Sequence, residues 1–163
     1  MPPDWIRDFV RLAVAMVAGG AIGLDRELGG RPAGLRTHML VAVGSALVVL
    51  TIADIGSSAD TSRVIQGVLT GIGFLCAGEI LHRMRDGHEH VKGLTSAASL
   101  WVTAAIGMAA GRGVWRLVVS GTVLTIVVLA VIRRFEPWRR PSPSGGPAKA
   151  PVGPAAPHDP RAP

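Results

Sequence analysis

The chain has no tyrosine, three phenylalanines and one cysteine, and only 17% of its 163 residues are charged. A lone cysteine excludes an intramolecular disulfide, and Cys76 lies inside an apolar run, where a small buried thiol is the ordinary reading. The scarcity of charge accompanies an apolar fraction of 48%, high for a soluble protein. Acids are scarcer than bases, 11 against 17, which leaves a net charge of +6. The bases fall between apolar runs instead of along one continuous face. That arrangement argues against a nucleic-acid partner and matches the way membrane topology is encoded.

What is present is a series of apolar blocks long enough to approach the ~20 helical residues that cross hydrocarbon. They predict an all-α membrane protein, a bundle of about five transmembrane helices over 6–24, 37–55, 64–81, 94–111 and 114–132. The bundle would occupy residues 1–134, and the Pro-rich segment 135–163 would be a disordered cytoplasmic tail with too little apolar surface to fold. The start carries acids among its bases and lacks a small-residue cleavage site, so it reads as a retained helix rather than a signal peptide. Its strictly uncharged part is short.

An odd number of spans puts the termini on opposite faces. One face then collects Arg26, Arg31 and Arg36, then Arg83, Arg85 and Lys92, then the basic tail; the other has Arg7, Arg11, Arg63, Arg112 and Arg116. The positive-inside rule makes the richer face cytoplasmic and leaves the N-terminus outside.

Glycines at four-residue spacing recur as Gly19 with Gly23, Gly67 with Gly71, and Gly107 with Gly111. In lipid such pairs let helix backbones approach. On the third block Gly67, Gly71, Phe74 and Gly78 share a helical face, expected to be the centre of the bundle; chance in a Gly-rich sequence is the competing explanation.

The ionisable residues give several candidates, each with a plainer alternative. Asp25, Arg26 and Glu27, followed by Arg31 and Arg36, crowd the first connecting loop. Acids at a helix C-terminus oppose the macrodipole and need partners, so a salt-bridged cluster is favoured over a cation or phosphate site. Two carboxylates beside three arginines make a poor magnesium cage. Glu79 lies inside a span, which marks it as functional unless it pairs with His82 or Arg83 along its own helix. Asp60 is expected to cap the third helix or hold Arg63 at the outer surface. Thr37 and Thr95 open two similar segments, Gly34-Leu35-Arg36-Thr37 and Gly93-Leu94-Thr95, read either as an internal duplication or as simple N-caps. His82, His88, Glu89 and His90 are a weak metal signal in a loop that reads by default as solvated. No combination of nucleophile, base and orienting residue can be assembled, so no catalytic residue, cofactor or metal site is expected.

Several ordered motifs resemble the MgtC/SapB membrane proteins across roughly residues 10–115. They are Gly19-Gly20-Ala21-Ile22-Gly23-Leu24-Asp25-Arg26-Glu27; Ala33-Gly34-Leu35-Arg36-Thr37-His38-Met39-Leu40-Val41; Arg63 with Gly71-Ile72-Gly73-Phe74-Leu75; Gly78; and Val91-Lys92-Gly93-Leu94-Thr95-Ser96-Ala97-Ala98-Ser99-Leu100-Trp101. Departures stand at Asp25, Cys76 and Glu79, where the family pattern usually has glutamate, glycine and an uncharged residue. The tail is too short for the ACT-like domain of longer members, so the chain looks like the short form. The resemblance implies a bacterial inner-membrane protein tied to magnesium limitation and, in pathogens, to survival in macrophages, with restraint of the F-type ATP synthase as one linked role. The expected partners are the lipid bilayer, from the apolar blocks, and either another membrane complex or further copies of the chain. The first functional expectation is a non-enzymatic regulator binding another membrane complex; the alternatives are a small ion or magnesium-related transporter and a ligand-free structural subunit.

Overall fold

A computed structural model describes residues 4–53, 57–84 and 93–135. Its elements are five helices: α1 (Asp4–Leu28), α2 (Leu35–Ala53), α3 (Ser58–Met84), α4 (Leu94–Gly111) and α5 (Trp115–Phe135). No strand occurs among the described residues, so the all-α bundle of five helices is the fold. The expected tail and the His88, Glu89 and His90 loop lie outside the described residues.

Several helices run past the apolar blocks that announced them, because charged residues at their ends have local partners. α1 starts at Asp4, which pairs with Arg7 at 3.1 Å, and continues through Asp25, Arg26 and Glu27. It stops at Gly30, whose φ of 61° is open to glycine at little cost. There the Arg31 N–H reaches the Arg26 carbonyl at 2.9 Å and the Gly30 N–H reaches Glu27 at 3.0 Å, a Schellman closure. The same device ends α4: Gly113 has φ 71°, with Val114 N–H on Ala109 and Gly113 N–H on Ala110.

At the start of α3 the cap is Ser57, not Asp60. The Asp60 carboxylate accepts from the Ser57 N–H at 3.0 Å while Ser57 Oγ accepts from the Asp60 N–H at 3.3 Å, a reciprocal box that begins the helix six residues before Val64. Nor do Thr37 and Thr95 cap: both already lie inside their helices, and the position before α4 is Gly93 with φ 105° and no side-chain cap.

By length and apolar composition three helices can cross a membrane, over Leu35–Ile52, Ala59–Ile80 and Leu94–Gly111. α5 contributes the shorter apolar stretch Trp115–Val131. In α1 the uncharged part from Leu12 to Leu24 is about 20 Å long at 1.5 Å per residue, short of a hydrocarbon core ~30 Å thick.

The centre of the bundle is α4, which touches each of the other four helices, whereas α3 touches only α2 and α4 among the described residues. Small residues account for the close approach. A Cβ on Gly107 would collide with the Ala42 carbonyl of α2; one on Gly111 would lie 2.7 Å from the Ala46 carbonyl, and one on Gly19 2.6 Å from that of His38. Ala15, Ala18, Ala42, Ala46 and Ala110 fill the remaining space with Ile22 and Ile106. The glycine pairs of α1 and α4 therefore make the core. The pair on α3 does not: among the described residues nothing approaches a Cβ built on Gly67, Gly71 or Gly78 within 4 Å, and Phe74 is 80% exposed. The face expected at the centre lies on the outside of the chain.

Candidate functional site

Because α1 runs on to Leu28, Arg26 is carried inward over the first turns of α2 and α4. It is 4% exposed, and its Nη2 donates to Ser96 Oγ at 2.6 Å. One turn further along α4, Ser99 Oγ lies 3.1 Å from His38 Nε2, and on the ring's other side His38 Nδ1 lies 3.0 Å from the Gly34 carbonyl. A carbonyl can only accept, so Nδ1 carries a proton. In the neutral ring Nε2 then accepts from the Ser99 hydroxyl. The Ser96 carbonyl lies 2.8 Å from the same hydroxyl and competes with Nε2 for its single proton, and Thr103 Oγ1 donates to the Ser99 carbonyl at 2.8 Å. Arg26, His38, Ser96, Ser99 and Thr103 are all buried and thread α1, α2 and α4 together through polar contacts.

Ser99 and His38 are a hydroxyl and a base in contact, which the sequence had not brought together. The pair still lacks the parts of an acyl-transfer site. Both residues are buried, and Nδ1 of the ring is held by the Gly34 carbonyl instead of an acidic side chain that would support a developing imidazolium. The arrangement locks helices together.

Beside this network the α1–α2 turn is shaped by its own strain. Ala33 adopts φ 54°, a left-handed conformation costing an alanine about 1–2 kcal/mol. The turn lets the Leu35 N–H donate to Glu27 Oε2 at 2.8 Å. Glu27 thus sits at the favourable, positive end of α2's dipole while closing α1. This is the compensation the acids required, supplied to Glu27 by the next helix's backbone.

On the far side of α2 a cavity of about 220 Å³ is lined by Ala33, Thr37 and Val41 of the turn and α2, Ile72, Leu75 and Glu79 of α3, and Leu100 of α4. Glu79 and Thr37, far apart in sequence, meet at this cavity as its polar side chains. The cavity sets one carboxylate and one hydroxyl against otherwise apolar walls. Cys76, half-buried, donates instead to the Ala97 carbonyl at 3.1 Å and holds α3 to α4.

The other candidates disperse. Arg36 is exposed. Arg63 stays at the start of α3, 4.0 Å from Asp60, with 81% of its side chain exposed. Thr95 faces an open groove between α4 and α5, away from Thr37. Among the described residues no three histidines, cysteines or acids gather as metal ligands. Sequence reading passed over His38, Ser96 and Ser99. Its available signal was a histidine and two serines, three residues apart, in otherwise apolar helix starts.

The chain is similar over long stretches to named proteins. It is 46% identical over 153 residues to SrpB of Synechococcus elongatus, covering 85% of this chain and 83% of that one. It is 44% identical over 134 residues to YhiD of Escherichia coli, provisionally designated a magnesium transporter, covering 77% of this chain and 60% of YhiD. It is 41% identical over 135 residues to protein MgtC of Brucella abortus, covering 79% of this chain and 55% of MgtC. The chain therefore spans most of SrpB but little more than half of MgtC. No solved structure matches it. The MgtC family profile matches residues 12–138, spanning α1 to α5, and the chain belongs to the MgtC family.

Proposed function

We propose that this protein is a non-enzymatic regulator in the bacterial inner membrane, acting in adaptation to magnesium limitation by contacting other membrane protein through its open helix surface. The observation that supports this reading is the contrast between two membrane-length helices. α4 has 61% of its span buried inside the chain, while α3 has 6%. A sealed centre leaves little space for a path through one chain, and an uncovered helix with glycines on its face offers what helix association in lipid uses, close packing. The F-type ATP synthase is the complex the family resemblance suggests as a target. The topology that goes with this reading has the N-terminus outside and the Arg26, Arg31 and Arg36 end of the bundle cytoplasmic.

Growth of a deletion strain across graded magnesium at mildly acidic pH, with cellular ATP measured in the same cultures, tests the proposal. A growth defect confined to low magnesium with altered ATP is the expected result. Equal growth and equal ATP at every concentration refute it.

A second reading, a small ion or magnesium-related transporter, is favoured by one observation, the Glu79 and Thr37 cavity within the membrane-length helices. It agrees with the designation of YhiD. Glu79→Gln separates the two: a carrier loses its ion flux, whereas a contact regulator keeps its low-magnesium phenotype.

A further inference from the structure

We infer that the open face of α3 is where a second copy of this chain docks, in a parallel two-fold pair. The inference rests on the proposed reading of α3 as a protein-contact helix and names its partner. Helix glycines in α1, α4 and α5 act as an internal control. Gly19, Gly23, Gly107, Gly111 and Gly121 each meet a neighbour within 3.4 Å of a built Cβ, whereas Gly67, Gly71, Gly73 and Gly78 of α3 meet nothing within 4 Å among the described residues.

A polar side chain on the same flank independently points to a protein occupant. Gln66 is exposed on α3, and its amide makes no hydrogen bond among the described residues. It falls near the middle of the span Ala59–Ile80, about 5 Å from its centre at 1.5 Å per residue. Lipid tails cannot satisfy an amide there, and an unpaired polar group in hydrocarbon is costly. Another amide can, because it carries both a donor and an acceptor.

Three features select a second copy over an unrelated helix. Copies inserted in one orientation are related by an axis along the membrane normal, so equal depths meet and each residue must suit its own surroundings on the partner. Gln66 then faces the second copy's Gln66. Phe74, 80% exposed, follows Gly71 by three residues, and because helical side chains lean toward the N-terminus its ring lies level with the Gly71 end of the notch over Gly67 and Gly71, as a self-complementary contact between equal depths requires. That notch opens into an apolar groove of about 420 Å³ between α2 and α3, with Gly44 and Gly71 on its walls. A dry cavity of ~150 Å³ already admits a benzene ring, so an aromatic side chain has room. At the head of the same face Asp60 and Arg63 are loosely paired at 4.0 Å and well exposed, opposite charges that two parallel copies can exchange.

Cross-linking in native membranes tests the pair. The full chain carries Cys76→Ser, which keeps a donor for Ala97, plus one new cysteine and a short bis-maleimide. Thr70→Cys or Gly67→Cys should yield an adduct of twice the chain mass, while Val123→Cys and Val127→Cys on the outside of α5 should not. Adding Gln66→Leu to Thr70→Cys should weaken the pair about three- to thirty-fold, the range of one interhelical hydrogen bond in a membrane. Adducts no stronger at 67 and 70 than at 123 and 127 overturn the inference. So does an adduct with a different polypeptide, which would leave the proposed contact role standing. A deletion strain without phenotype but with the two-fold adduct would remove the proposed function and leave the pair intact.

Discussion

Gly107→Ala should destabilise the bundle, against the usual trend for glycine in a helix. Replacing an interior helical glycine by alanine ordinarily gains about 1 kcal/mol. Here the new methyl would collide with the Ala42 carbonyl and lie 2.9 Å from the Ala42 Cα, so backbone, not a flexible side chain, must give way. Over-packing of this kind costs about 1–3 kcal/mol, and moving a helix that also touches α1 and α3 belongs at the upper end. Gly73→Ala is the matched control: the same chemistry, in a membrane-length helix, with nothing within 4 Å. It should keep the propensity gain. Both variants carry the propensity gain, so they are expected to differ by the over-packing cost alone, about 1–3 kcal/mol. Thermal unfolding of purified protein in one detergent, followed by the loss of a monodisperse chromatographic peak, should place Gly107→Ala several degrees below wild type and Gly73→Ala at or above it. Equal melting temperatures for the two variants would refute the account of the core.

Ser99→Ala should lower stability by about 1–3 kcal/mol, because it leaves His38 Nε2 buried without its hydroxyl; the same melting assay reads it. Glu27→Ala should cost about 0.5–2 kcal/mol by removing the acceptor for the Leu35 N–H, while Glu27→Gln, which keeps an oxygen, should recover most of the loss. Ala33→Gly should be neutral or stabilising, since it relieves a left-handed alanine; a drop of several degrees would contradict the strain described for that turn. Ser57→Ala should remove half of the reciprocal cap of α3 and cost about 1 kcal/mol, seen as faster amide exchange in the first turn of α3 with α4 unaffected.

The number and kind of helices were legible because apolar blocks and bilayer thickness leave few alternatives. The face of α3 was not. A row of glycines announces close approach but not the identity of what approaches, and Gly67 and Gly71 look in sequence just like Gly107 and Gly111. Whether a neighbour fills the notch depends on contacts distant along the chain, as between Ala42 and Gly107. Helix ends failed for a related reason. Apolar runs stop at charge, yet Asp25, Arg26 and Glu27 remain helical because Arg26 finds Ser96, seventy residues away, and Glu27 finds the next helix's backbone. The same distance hid His38, whose partner Ser99 is 61 positions later. Thr37 and Glu79 were each singled out alone, and only the packing of α2 against α3 puts them around one cavity.

The central place of α4 has a consequence for how the chain is made. Translation delivers α1 and α2 first, so Arg26 and His38 enter the membrane before the hydroxyls of Ser96 and Ser99 exist. Until Leu94–Gly111 emerges, a buried-to-be guanidinium and imidazole must be served by water or lipid headgroups at the membrane edge. Completion of the fourth helix then works as a checkpoint: a nascent chain stalled before Gly93 should remain open to proteases, and one extended past Gly113 should close.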